Sequence, residues 1–145
     1  MAAPLKREVG MLVVHCSDTP STMDIGAADI KRWHTLSPPK GNGWSDIGYH
    51  FVIRRDGTLE TGRPVNIAGS HVKGFNSKSI GICVVGRGEY EQAQIDMLIG
   101  LLHVLKERYN IALGNILGHY ELDKHKTCPV MKMAKVRRSV QEYLS

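Results

Sequence analysis

The chain has 145 residues, 42% of them hydrophobic and 23% charged. That is room for one compact domain and not for two, and it is too apolar for intrinsic disorder. Nineteen Lys and Arg against fourteen Asp and Glu leave a net charge of +5, an excess that suits an anionic partner (nucleic acid, cell wall or membrane surface) or a soluble protein with surplus surface lysines.

Residues 1–8 are polar and read as a flexible arm, with the folded domain over 9–145. The start MAAPLKREVG lacks the ~7–15 apolar residues of a secretory signal, and no stretch approaches the ~20 apolar residues of a membrane span. The expectation is therefore a chain made in a cytoplasm, without membrane insertion. There Cys16, Cys83 and Cys128 stay free thiols, open to metal binding or catalysis. Residues 9–15 (VGMLVVH) form a short apolar run that predicts a buried strand, stopped by SDTP. Ile30, Trp33 and His34 at helical spacing predict a helix over 27–36, with Asp24 as its N-cap. The stretch SPPKGNGWS is a loop. A strand over 49–53, the turn Arg55-Asp56-Gly57-Thr58 and a return over 58–61 read as a hairpin.

Residues 79–85 (SIGICVV) predict a second buried strand. Residues 91–109 carry the clearest helical stripe, with Ile95, Leu98, Ile99, Leu102, Leu105 and Tyr109 at i, i+3, i+4. A short strand over 116–118 runs into His119. A last helix is expected from Pro129, with Met133, Val136, Val140, Tyr143 and Leu144 on one face. Strands and helices intermix, so the fold class is α/β or α+β, one sheet of roughly four to six strands covered by helices.

The chemistry-bearing residues sit where these strands end. His15 closes the first strand, and Cys16 should point to its other face because strand side chains alternate. His119 opens a loop that ends at Cys128. With Pro129 as the first residue of the last helix, Cys128 would lie at a helix N-terminus, where the dipole favours thiolate. His15, His119 and Cys128 together would give zinc three protein ligands and leave one position for water, the arrangement of a catalytic site. The alternative is a buried strand-end His15, a surface His119 and an inert Cys128. Tyr49 and Lys126 can each stabilise a developing oxyanion, or serve merely as a core-edge ring and a solvated ammonium. Cys128 as nucleophile with His119 as base is a further possibility, separable by chelation. His34, His50 and His103 read as structural, and Cys16 and Cys83 as small buried groups.

The segments VVHCSDT, IKRWH, GWSDIGYHFVIRRDGTLETGR, GSHVKGFNSKSIGICVVG and GHYELDKHKTCP resemble the zinc-dependent N-acetylmuramoyl-L-alanine amidases of the phage lysozyme type, in order and over nearly the whole chain. Peptidoglycan recognition proteins are similar more distantly. The resemblance implies an α/β single domain with a central mixed β-sheet flanked by helices and zinc in a surface cleft. It implies His15, His119 and Cys128 as ligands of one Zn2+, Tyr49 and Lys126 as the catalytic pair, and His71 in GSHVKG as a substrate-binding residue of the cleft. It implies hydrolysis of peptidoglycan in host lysis. Without a signal sequence, such an enzyme is expected to accumulate in the host cytoplasm and to reach the wall with a membrane-permeabilising partner, and a monomer is the default expectation. It also raises a regulatory alternative, a phage RNA polymerase bound and inhibited, with Lys6 and Arg7 as contacts. The positive charges are scattered and match no nucleic-acid motif, so no direct nucleic-acid binding is expected. The chain departs from some relatives at Val130, where they have Gly after the Cys-Pro or Asp-Pro pair, and in the compact segment GRGEYEQAQ.

Overall fold

The computed structural model describes residue 5 and residues 7–143. Its elements are β1 (Met11–Cys16), α1 (Ala27–Thr35), β2 (Phe51–Ile53), β3 (Leu59–Thr61), β4 (Ser79–Val84), α2 (Gln92–Tyr109), β5 (Ile116–Gly118), α3 (His119–Leu122) and α4 (Met133–Glu142). The strands form one mixed sheet in the order β3-β2-β4-β1-β5. β2, β4, β1 and β5 run parallel, and β3 returns antiparallel along β2 as the expected hairpin.

The central strands are apolar along their length because both faces are covered. Leu12, Val14, Ile80, Ile82 and Val84 pack under Leu98, Leu102 and Leu105 of α2 and Met133, Val136 and Val140 of α4. On the opposite face Val52, Cys83 and Val85 meet Ile25, Ile30 and Ile47 around α1. Each such side chain, fully buried, stabilises the fold by roughly 1.5–3 kcal/mol. The α2 stripe is buried as its spacing predicts, apart from the partly buried Ile95 and Tyr109. Gln94, fully buried in the first turn of α2, donates to the carbonyl of Val85 at the end of the sheet.

Four expectations need correction. The last helix starts at Met133, not Pro129. Val130 takes a left-handed φ of +57° and its N–H closes a turn onto Thr127, which breaks helical continuity just after Cys128. Tyr143 follows that helix as its C-cap, and Leu144 lies outside the described residues. Gly26, not Asp24, is the N-cap of α1; the Asp29 carboxylate accepts the Gly26 N–H at 2.9 Å, while Asp24 pairs with Arg54. His119 opens a helical turn rather than a loop, because the Glu121 carboxylate accepts the Gly118 N–H and is itself held by both guanidinium nitrogens of Arg137.

Of the expected arm, residues 1–4 and 6 lie outside the described residues. Arg7 is no free arm residue. Its guanidinium donates to the carbonyls of Val65, Asn76, Ser77 and Ser79.

Candidate active site

The site follows from strand register. β1 and β5 are adjacent and parallel, with Val14 opposite Gly118. The next residues along the two strands are His15 and His119, at the C-terminal edge of the sheet where open α/β folds place their ligands. Their ring centroids stand 4.5 Å apart and their Nδ1 atoms 3.1 Å apart. The chain then turns through α3 and comes back, and the Tyr120 N–H donates to the Cys128 carbonyl at 2.9 Å, which closes the loop. Cys128 is thus delivered by a turn and not by a helix dipole. Its Sγ accepts the backbone N–H of Cys16 at 2.8 Å.

The donor atoms of His15, His119 and Cys128 all lie within 4.8 Å of one another, the one such group of three among the described residues. A tetrahedral zinc with two imidazoles and a thiolate needs edges of roughly 3.3–3.6 Å, from its Zn–N and Zn–S distances. The two imidazole nitrogens are already near that spacing, so the donor set fits the ion. Cys16 falls outside the group but, contrary to the expectation from strand alternation, lines the same cleft.

These residues line a cleft of about 400 Å³, with Tyr49, His71 and Lys126 on its walls. The model of the family described as N-acetylmuramoyl-L-alanine amidase matches residues 5–130. The chain belongs to that amidase family. The endolysin of Klebsiella phage KP32 is 42% identical over 132 residues, 86% of this chain and 82% of that protein. The endolysin of Escherichia phage T7 is 40% identical over 126 residues, 81% of this chain and 78% of that protein. Among solved structures, the N-acetylmuramoyl-L-alanine amidase LysC from Clostridium intestinale superposes with a TM-score of 0.80 at 30% identity, covering 97% of this chain and 91% of that one. The mixed sheet and flanking helices of this amidase are the fold expected for the family.

Burial sets the electrostatics of the amidase cleft. It holds His15 neutral, well below the usual histidine range, with His71 and His119 adding to the effect. His119 is lowered by burial and then by the Lys126 charge. A neutral imidazole is the form that binds a metal. The interaction with the Cys128 side chain draws the Cys16 thiol down to about 7, while the same interaction and burial push Cys128 up. The Cys16 N–H bonded to Cys128 Sγ favours the charge on Cys128.

Tyr49 precedes β2 but still sits on its hydrogen-bonding rail, its carbonyl accepting from the Arg63 N–H. Its ring lies 5.1 Å from that of His15. Burial raises the phenol well above its ordinary value, so it stays an O–H donor. Lys126 is exposed at the mouth of the cleft. His71 lines the wall, but both of its ring nitrogens are engaged inside the protein, with His15 at 2.8 Å and Ser79 at 3.1 Å.

Sequence reasoning passed over two cleft residues. His34, taken as a packed helix residue, accepts the Gly48 N–H at 2.9 Å and holds the backbone just before Tyr49. Trp44 stacks edge-on against His34 and remains 36% exposed. A tryptophan inside the glycine-rich loop GNGWS was the available signal.

Proposed function

We propose that this amidase is an endolysin that hydrolyses the amide between the lactyl group of N-acetylmuramic acid and L-alanine in peptidoglycan, with His15, His119 and Cys128 holding one zinc ion. The observation that carries the reading is the convergence of those three donors in a cleft that also presents Tyr49 and Lys126. A bound zinc supplies Lewis-acid polarisation of a carbonyl and a water of lowered pKa. Two neutral imidazoles and one thiolate leave such a site with net charge +1.

The chain's own residues do the rest. The Tyr49 O–H and the Lys126 ammonium face the negative charge that develops on the scissile carbonyl oxygen, and a well-placed donor of this kind is worth about 3–4 kcal/mol in the transition state. No covalent bond to the enzyme is required. All five residues come from one chain, so a monomer suffices. Accumulation in the host cytoplasm and arrival at the wall with a membrane-permeabilising partner belong to the same proposal.

The test is to add the protein to isolated peptidoglycan with EDTA, then with zinc restored, and to follow new L-alanine amino termini. Zinc-dependent release is expected, and Cys128→Ser should lose metal and activity together. Chelator-resistant release would support Cys128 as a nucleophile instead. A metal-free Cys128→Ser protein with full activity would refute the site.

A further inference from the structure

Outside the three donors, the cleft wall contains a buried chain of hydrogen bonds. The Ser79 Oγ lies 2.8 Å from the carbonyl of Phe75. A carbonyl only accepts, so the hydroxyl proton points there. The same Oγ is 3.1 Å from His71 Nε2 and must accept from it, which makes His71 the Nε2–H tautomer with a lone pair on Nδ1. That Nδ1 is 2.8 Å from His15 Nε2, so His15 donates from Nε2. Its remaining lone pair then lies on Nδ1, the atom facing His119.

We infer that His71 and Ser79 are positioning residues that fix the His15 tautomer and aim its Nδ1 lone pair into the metal centre. This rests on the metal reading above. Ligating histidines are generally oriented by what their other ring nitrogen bonds, and here every proton in the chain is assigned by its end at a carbonyl.

The ring of His71 is seated for this task. A Cβ on Gly81 would meet its Cγ at 2.6 Å, and one on Gly69 would meet its Cδ2 at 2.7 Å. The two glycines make the slot. Asn76 Oδ1 accepts the backbone N–H groups of His71 and Val72, both at 2.9 Å. Arg7 clamps the carbonyls of Asn76, Ser77 and Ser79 behind them. His15, His71 and Ser79 are 1%, 8% and 0% exposed, so water does not compete for these bonds.

The experiment reads metal affinity and tautomer rather than turnover. Cobalt(II) is titrated into metal-free wild type, His71→Ala, His71→Asn and Ser79→Ala, following the thiolate–cobalt charge-transfer band, with circular dichroism to verify the fold. His71→Ala should bind cobalt about 10–100-fold more weakly with the band unchanged in shape. His71→Asn should recover most of the affinity, because its Oδ1 can take the place of Nδ1 as acceptor. Ser79→Ala, which leaves His71 in place, should show a smaller loss in the same direction. Nitrogen-15 NMR of the metal-free wild type should find His15 protonated at Nε2, and His71→Ala should mix the two tautomers. A His71→Ala protein with wild-type cobalt affinity, or a wild-type His15 protonated at Nδ1, overturns the positioning role and leaves the metal reading standing. A wild-type protein with no thiolate–cobalt band overturns the metal reading itself.

Discussion

His50 should make the fold acid-labile over a defined range. The ring is 1% exposed, and both of its nitrogens are engaged. Nδ1 accepts the Gly81 N–H at 3.0 Å and Nε2–H donates to the Ile67 carbonyl at 2.8 Å. A proton added at Nδ1 would point at a donor, with the Arg7 guanidinium 3.2 Å from the other nitrogen. Burial is the largest cause of the shift, and the His50 pKa falls from 6.5 to about 4. Because the folded pKa lies below the unfolded one, the unfolded chain takes up the proton first as pH falls. Stability is whole above 6.5 and is lost between 6.5 and about 4. Integrated from pH 7.5 to 4.5, this one ring removes about 2.5 kcal/mol, at 1.36 kcal/mol per pKa unit. Urea unfolding of wild type and His50→Asn at the two pH values isolates the effect, since Asn can accept the Gly81 N–H but cannot titrate. Wild type should lose about 2.5 kcal/mol more than the variant across that interval. Equal losses would refute the assignment of a neutral, buried His50.

Val130→Gly should stabilise the protein. A β-branched residue at φ +57° costs ~1–2 kcal/mol, partly offset by the chain entropy glycine brings, for a net gain of about 1 kcal/mol and a rise of about 3 °C in Tm; a lower Tm would show that the contact of Val130 with Gly88 outweighs the strain. Lys126→Ala should keep bound zinc while kcat falls by about 10²–10³; loss of zinc would instead give Lys126 a structural role. Tyr49→Phe should fall in the same direction and leave Tm near wild type, since the ring against His15 remains; unchanged turnover would remove the phenol from the mechanism.

Much of the architecture could be read from local pattern. The runs MLVVHC and SIGICV announce strands buried on both faces, and the stripe from Leu98 to Leu105 announces a helix on a core. Pattern misled where one residue mattered more than periodicity. Pro129 looked like a helix start, yet the left-handed Val130 moves that start to Met133. The ligand types His15, His119 and Cys128 were likewise visible, through residue chemistry and resemblance.

What the sequence determined by itself was which residues are able to do the chemistry, because side-chain type and local spacing are properties of the chain. Which of them meet was decided by the tertiary structure. His15 and His119 are 104 residues apart, and only the placement of β5 beside β1, with Val14 opposite Gly118, brings their nitrogens together. His71 was legible as a cleft residue, but its bond to His15 and the proton order running back to Ser79 and Phe75 were not. Those depend on a ring seated against Gly69 of its own loop and Gly81 of β4, and no local periodicity encodes a contact made between separate strands.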